Sequence, residues 1–174
     1  QDEPTASVAL TETTTSFFVS QGFNEINTYP MISEKDFNAV GIENITELNS
    51  LANPISDQLS TMRSSLLASF LQVVSYHHLR QMPDLSLFEI GKTFHESSED
   101  MKVGLCLTGN YYEHIQNSQQ QKQASNLFQH LSKIILNWAT HVRLPITFSQ
   151  NTCPSWAHPK LFHTIFIICL TLLI

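Results

Sequence analysis

Residues 85–94 read Leu-Ser-Leu-Phe-Glu-Ile-Gly-Lys-Thr-Phe, with apolar side chains at odd and even positions alike. Such a run fits a strand that is covered on both faces, as in the middle of a sheet. Residues 102–107 alternate instead, with Val103, Leu105 and Leu107 on one side. Alternation of this kind is typical of a strand with one buried face. The two stretches therefore predict a central strand and a half-buried neighbour.

The residues before this pair of strands predict elements that end at a glycine and at a proline. Residues 8–21 fit a helix, which Gly22 can stop in the left-handed conformation. Residues 23–29 fit a strand that ends at Pro30, because proline has no donor for the ladder. Ser33 then fits the cap of a short helix, with a carboxylate three residues further on.

Two apolar stripes at helical spacing predict the longer helices of the fold. The stripes are Leu66, Leu67, Phe70, Leu71 and Val74, and then Ala124, Leu127, Phe128, Leu131, Ile134, Ile135 and Trp138. Short strands are expected at 45–51 and 144–148, and a loop at 111–121. Few of the predicted strands are followed by the helix that parallel pairing needs. We therefore expect an α+β fold, with an antiparallel sheet flanked by helices.

Composition limits the classes of function. The chain has 174 residues, of which 42% are hydrophobic, so one domain with its own core is expected and a wholly disordered chain is excluded. Nine basic against fifteen acidic residues give a net charge of −6. Because binding to phosphates is driven by Lys and Arg, the chain is not expected to hold RNA or DNA by itself.

Cysteine usage bears on the compartment. Cys106, Cys153 and Cys169 are odd in number, lie far apart and form no C-x-x-C pair. This usage favours a reducing compartment, and we expect the cytoplasm.

The last stretch of the chain, residues 161–174, is almost entirely apolar. It is shorter than the roughly 20 residues that span a bilayer, so a buried strand or helix is favoured over a membrane anchor. An altered tail is the third alternative. We therefore divide the chain into a core over 1–160 and a tail of uncertain fold over 161–174.

No pattern of residues by itself predicts a catalytic, cofactor or metal site. The five glycines form no phosphate-binding loop, and no nucleophile elbow of the G-x-S-x-G type is present. The best group of metal-ligand types, Cys153, His158, His163 and Cys169, has a spacing that matches no zinc pattern. From the residues alone, the prediction is an α+β domain without a visible site.

A resemblance to a known family extends this interpretation. Residues 22–30, Gly-Phe-Asn-Glu-Ile-Asn-Thr-Tyr-Pro after a predicted helix, resemble motif 1 of the class II aminoacyl-tRNA synthetases. Four later stretches, in the same order and with the same gaps, resemble the synthetase-like core of phenylalanyl-tRNA synthetase beta subunits. They are Leu-Ala-Asn-Pro-Ile-Ser at 51–56, Met-Arg-Ser-Ser-Leu-Leu at 62–67, Leu-Arg-Gln at 79–81 and Leu-Phe-Glu-Ile-Gly-Lys-Thr-Phe at 87–94. The likeness is strongest over residues 17–109.

The resemblance implies partners and cofactors that belong to a larger enzyme. Two alpha and two beta subunits form it, and the alpha subunit joins phenylalanine to its tRNA with ATP and magnesium. This chain would be a non-catalytic module that supports assembly with the alpha subunit and reaches tRNA only through the complex. The alternative is a free-standing adenylating enzyme or amino-acid binder on the same fold. Self-association of the isolated chain is a further expectation.

Two departures from the pattern of an active class II enzyme imply that the chain lacks adenylate chemistry. Such an enzyme needs an arginine at the end of the motif 2 strand, where it meets the ATP phosphate, and here that position is His95. Imidazole is mostly neutral at pH 7 and offers no bidentate fork. Motif 3 needs glycines and an arginine near the end, and the last of each here are Gly109 and Arg143.

The resemblance also implies where a partner would bind, because motif 1 builds the subunit interface in class II synthetases. The corresponding residues here are Phe17, Phe18, Gly22, Phe23 and Pro30. Adjacent residues on a helix point about 100° apart. We therefore expect one of Phe17 and Phe18 to face the core of this chain and the other to be available to a partner.

Overall fold

Helices alternate with short and long strands along the chain. The computed structural model describes residues 6–39, 50–95, 98–109, 125–144 and 165–171. Its elements are α1 (Ala6–Ser20), β1 (Asn24–Glu25), β2 (Met31–Ile32), α2 (Glu34–Ala39), a 3-10 turn (Asp57–Leu59), β3 (Thr61–Met62), α3 (Leu67–His78), β4 (Leu85–His95), β5 (Ser98–Thr108), α4 (Ser125–Val142) and β6 (Ile165–Thr171). The loop expected over 111–121 lies outside these residues, as do the strands expected over 45–51 and 144–148 except for residues 50, 51 and 144.

A four-stranded sheet in the order β1-β4-β5-β6 forms the centre of the fold. β4 and β5 make a long antiparallel hairpin, in which His95 faces Ser98 and Leu85 faces Thr108. β1 pairs with β4 in parallel, so the antiparallel sheet that we expected is mixed at this edge. The chain between these two strands contains α2 and α3, which supply the crossover that parallel pairing needs. β2 and β3 form a separate two-stranded antiparallel sheet.

Helices α1 and α4 cover one face of the main sheet. Their buried side chains meet those of β4 and β5 in one apolar cluster, which contains Phe18, Phe23, Phe88, Val103, Leu105, Leu107, Leu131, Ile134, Ile135, Trp138 and Ala139. The indole Nε1 of Trp138 donates to the hydroxyl of Thr14 on α1 at 3.1 Å, so the polar atom of this buried ring is paired across the two helices. The apolar stripe predicted for α4 is therefore confirmed as core over 131–138.

Helix α3 covers the other face of the same strands. Leu66, Phe70 and Val74 pack with three residues of β4 and β5 in a second apolar cluster. A Cβ at Gly104 would lie 2.3 Å from Cε2 of Phe70, so a glycine is needed for the ring to lie on the strand. β5 is consequently buried on both faces over 103–108, and the prediction of a half-buried strand is wrong there. The second face carries Gly104 and Cys106, which are not large apolar residues, so the sequence pattern did not indicate that this face is buried.

Three helices end in the same hydrogen-bonded turn, which places one residue in the left-handed conformation. After α1 this residue is Gly22, with φ of 85°, as the sequence predicts. After α3 it is Gln81, with φ of 60°, and after α4 it is Arg143, with φ of 59°. In the α3 turn the amide of Gln81 donates to the carbonyl of His78 and that of Met82 to His77. These paired bonds satisfy carbonyls that the helix end leaves open.

Replacing Gln81 by glycine is expected to stabilise the chain. A side chain in the left-handed region costs about 1–3 kcal/mol, which glycine avoids while it loses some entropy. We expect a net gain of about 0.5–1.5 kcal/mol in the free energy of unfolding, measured by guanidinium denaturation. Gly22→Ala is the control and should act in the opposite direction, because no atom lies within 4 Å of the added Cβ and the φ of 85° is unfavourable for alanine. A loss of stability in Gln81→Gly would contradict the prediction.

Residues 165–171 of the apolar tail form β6, which pairs antiparallel with β5 from Thr108↔Ile165 to Lys102↔Thr171. This part of the tail therefore adds a strand to the main sheet, while the division of the chain at residue 160 stays a prediction. Among the helices that the structure describes, none has the length and apolar character needed to cross a membrane.

Candidate functional site

A buried ion pair joins the segment before α3 to the middle of β4. Nη1 of Arg63 lies 2.8 Å from Oε1 of Glu89, and the two side chains are only 3% and 1% exposed. Arg63 follows β3 directly, whereas Glu89 stands between apolar residues of β4. Charged side chains are almost never fully buried unless they are paired, so each group needs the other.

Thr28, which follows β1, completes the pair from a third segment. Its hydroxyl donates to Oε2 of Glu89 at 2.7 Å and accepts from Nη1 of Arg63 at 2.7 Å. Its backbone amide donates to Oε1 of Glu89 at 3.3 Å. Nε of Arg63 also donates to the carbonyl of Lys92 on β4 at 3.0 Å. We call Thr28, Arg63 and Glu89 the buried network, because their side chains satisfy one another away from water.

The backbone of Arg63 extends the buried network to the residues on either side. Its amide donates to the carbonyl of Pro30 at 2.9 Å, and its carbonyl accepts from the amide of Phe94 at 2.9 Å. The motif 1-like segment, the Met62-Arg63 segment and β4 are therefore held in one fixed arrangement.

Gly91 belongs to the same arrangement for a steric reason. A Cβ at this position would lie 2.3 Å from Nη2 of Arg63 and 3.0 Å from Oε1 of Glu89. Only a glycine leaves room for the guanidinium to lie against the strand. The buried network was not predicted from the sequence, although a glutamate inside a largely apolar central strand is a usable signal of a buried partner.

The buried network has the chemistry of a structural element. Both charges are neutralised inside it, and a fully buried pair of this kind contributes little net free energy while fixing geometry. The hydroxyl oxygen of Ser69 on α3 lies 3.5 Å from Nη1 of Arg63, so this helix is part of the same arrangement.

His95 is the last residue of β4. It is the residue that we expected at the place of the phosphate-binding arginine. Its Nε2 lies 3.6 Å from Oδ2 of Asp100 on β5, and the two side chains are 37% and 38% exposed. Lys92 on the same hairpin is paired with Glu99, with Nζ and Oε2 2.7 Å apart. The described end of the hairpin therefore carries carboxylates beside its basic groups, which does not favour a phosphate. The assignment of His95 to a lost ATP site stays a prediction.

The other two arginines of the chain lie in the turns that end α3 and α4. Arg80 lies over the ring of Tyr76, with Cζ 3.4 Å from the centroid, and its Nη1 donates to the carbonyl of Tyr76 at 3.0 Å. Arg143 follows the last turn of α4. Among the described residues, no group of three or more His, Cys, Asp or Glu side chains is arranged to hold a metal ion. Cys153, His158 and His163 lie outside those residues.

The five residues predicted at a partner interface occupy different environments. Phe18 and Phe23 are buried in the core of this chain, and Gly22 forms the turn that ends α1. Phe17 is half-buried and lines an open depression together with Glu12 and His141. Pro30 is half-buried, and its carbonyl accepts from the amide of Arg63 in the buried network. Of the two neighbours on α1, Phe18 thus faces the core, as expected, while a role of any of the five residues at an interface stays a prediction.

Comparisons with known proteins find similarity to the beta subunits of phenylalanine–tRNA ligases. The sequence profile of the phenylalanyl tRNA synthetase beta chain CLM domain matches residues 1–167. A phenylalanine–tRNA ligase beta subunit from Onion yellows phytoplasma is 32% identical over 142 residues, which are 81% of this chain and 16% of that protein. The corresponding subunit from Bacillus subtilis is 37% identical over 87 residues, 49% of this chain and 11% of that protein. The chain thus spans about one sixth of the length of the first relative and about one ninth of the second.

The fold has its counterpart among solved class II synthetases. A pyrrolysyl-tRNA synthetase from Desulfitobacterium hafniense superposes with a TM-score of 0.58 at 15% identity, over 80% of this chain and 48% of that one. At this identity the likeness concerns the fold alone, and it confirms the α+β class that we expected. The profile match covers almost the whole chain, which therefore belongs to the phenylalanyl-tRNA synthetase beta chain family, of which it carries the CLM domain.

Proposed function

We propose that this chain is a non-catalytic structural module of a phenylalanine–tRNA ligase. It supports assembly of the beta subunit with the catalytic alpha subunit, and through that complex it serves tRNA aminoacylation. The single observation that carries the proposal is the position of Arg63. It is the arginine whose backbone lies beside the end of β4, and its guanidinium is buried against Glu89. A buried, neutralised guanidinium cannot contact the phosphate of ATP.

The packing of the sheet supports the same proposal. α1 and α4 cover one face of β4 and β5, and α3 covers the other. A substrate that reacts on these strands would need an open face of the sheet. Over residues 103–108, however, the side chains on both faces of β5 are buried. We infer that the chain binds neither ATP nor magnesium and that the alpha subunit supplies both sites.

The proposal predicts no formation of aminoacyl-adenylate by this chain. Removal of one preorganised contact to developing charge costs about 10²–10³ in rate, and in this proposal His95 stands where the motif 2 arginine would lie. ATP–pyrophosphate exchange with phenylalanine should stay at background for the chain alone and appear when the alpha and full-length beta subunits are present. Exchange by the chain alone would favour the free-standing adenylating enzyme instead.

A further inference from the structure

The short stretch between β1 and β2, from Asn27 to Pro30, contributes no buried side chain to the fold. Asn27 and Tyr29 are exposed, and the other two side chains are half-buried. Strand pairing on either side is brief, because β1 pairs with β4 over two residues and β2 pairs with β3 over two. Apolar packing and strand pairing therefore do not explain the position of this stretch, which we call the 27–30 segment.

Polar contacts attach the 27–30 segment to the rest of the chain. The amide and the hydroxyl of Thr28 donate to the two carboxylate oxygens of Glu89. The same hydroxyl accepts from Nη1 of Arg63. The carbonyl of Pro30 accepts from the amide of Arg63. Thr28 thus contacts both charges of the buried ion pair with a single side chain.

A hydroxyl is suited to this place because it can donate and accept at the same time. A guanidinium only donates, and an ionised carboxylate only accepts. The single hydroxyl proton of Thr28 must therefore point to Glu89, which leaves the lone pairs of the oxygen for Arg63. The bond pattern has one solution, and it fixes the orientation of the side chain relative to both charges.

The strands beneath the 27–30 segment are held much more firmly. β4 and β5 are paired from Leu85↔Thr108 to His95↔Ser98, and apolar clusters cover both of their faces. The direct contact between Arg63 and Glu89 does not pass through Thr28. Regions with few buried apolar contacts open at a lower free energy than the core does. The segment can therefore separate from β4 while the sheet and the ion pair stay in place.

We propose that Thr28 is a positioning residue, whose hydroxyl fixes the 27–30 segment on β4, and that this segment opens as a local unit. Loss of the hydroxyl favours the open form, because hydrogen bonds to charged groups are stronger than those between neutral groups. The inference does not depend on the proposed function, since it concerns how the chain holds one of its own segments.

Hydrogen exchange of the whole folded chain, followed by NMR at several low guanidinium concentrations, tests the proposal. The amides of Thr28 and Arg63 report on the segment, because each is bonded across its boundary. In the unaltered chain they should exchange through an opening that depends little on guanidinium, since a local opening exposes little surface. The amides of β5 over 103–107 are the reference and should exchange through an opening that depends strongly on guanidinium.

Three variants test the hydroxyl itself. Thr28→Val keeps the shape of the side chain and should raise the exchange rates of the two reporting amides more than tenfold, after correction for intrinsic rates. Thr28→Ser keeps the bridging hydroxyl and should change these rates less than threefold. Thr13→Val is the matched control, because the hydroxyl of Thr13 donates to the carbonyl of Ala9 on the exposed side of α1. It should also change the rates less than threefold.

Several results would overturn the proposal. If the reporting amides of the unaltered chain show the same guanidinium dependence as those of β5, the segment does not open as a local unit. If Thr28→Val leaves their rates unchanged, the hydroxyl does not position the segment. If Thr28→Ser exchanges as fast as Thr28→Val, the methyl group is responsible. A Thr28→Val chain that no longer folds would show that the hydroxyl serves the whole fold instead.

Discussion

Replacing Arg63 by methionine is expected to lower the free energy of unfolding by about 3–5 kcal/mol, because Glu89 is left charged and buried without its partner. Domains are stable by only about 5–15 kcal/mol, so this one change removes a large share. The hydroxyl of Thr28 also loses its donor, and the backbone bonds from Arg63 to Pro30 and Phe94 lose their support. Guanidinium denaturation followed by far-UV circular dichroism measures the loss.

A double variant separates the cost of an unpaired charge from the cost of lost packing. Arg63→Met combined with Glu89→Met removes both charges, and it should be more stable than Arg63→Met alone by several kcal/mol, since replacing a whole buried pair by apolar groups is often neutral. Arg80→Met is the control for loss of an arginine from an exposed site, where the guanidinium lies over Tyr76. A cost below about 1 kcal/mol for Arg63→Met, the value of an exposed ion pair, would contradict the expected penalty for leaving Glu89 buried without its partner.

Long elements were predictable from the sequence because each of them buries a recognisable apolar pattern, which is a stripe at helical spacing in the helices and a run on both faces in the strand. The helices at 67–78 and 125–142 and the strand at 85–95 follow from such patterns, and Gly22 gives the end of α1. The parallel pairing of β1 was not predictable, since only two residues of the expected strand over 23–29 pair with β4. A pairing that short depends on tertiary contacts that local pattern does not record.

The buried network was hidden for a different reason. Arg63, Glu89 and Thr28 are polar, and polar residues are assigned to the surface when no partner is visible. Their pairing joins segments far apart in sequence, so only the fold brings the two charges to 2.8 Å. The resemblance had already singled out the stretches that contain Arg63, Glu89 and Gly91. The structure supplies the physical reason why these residue types occur together: a glycine leaves room for the guanidinium, and the carboxylate neutralises it.

Phe18 and Phe17, neighbours on α1, are expected to differ sharply when either is truncated. Phe18 is 0% exposed, and its ring lies 5.4–5.9 Å, centroid to centroid, from those of Phe17, Phe23, Phe88 and Trp138. Phe18→Ala leaves a cavity at this point and should cost about 3–5 kcal/mol. Phe17 is half-buried against His141 and Phe18, so Phe17→Ala should cost about 1 kcal/mol. Denaturation of both variants under one set of conditions compares the two costs, and equal costs would contradict this division of the helix into a core face and an open face.

The same pair tests the assembly role of α1. Because Phe17 lines an open depression, Phe17→Asp should leave the chain folded and weaken association with the alpha subunit by more than about 2 kcal/mol, as truncation of an interface anchor does. Leu79→Asp, a charge added at an exposed site directly after α3, is the control and should leave the association unchanged. Co-purification with the alpha subunit, followed by titration, measures both. If Phe17→Asp folds normally and still binds alpha with the affinity of the parent, the motif 1-like helix is not the contact surface, and the assembly contacts lie elsewhere on the module.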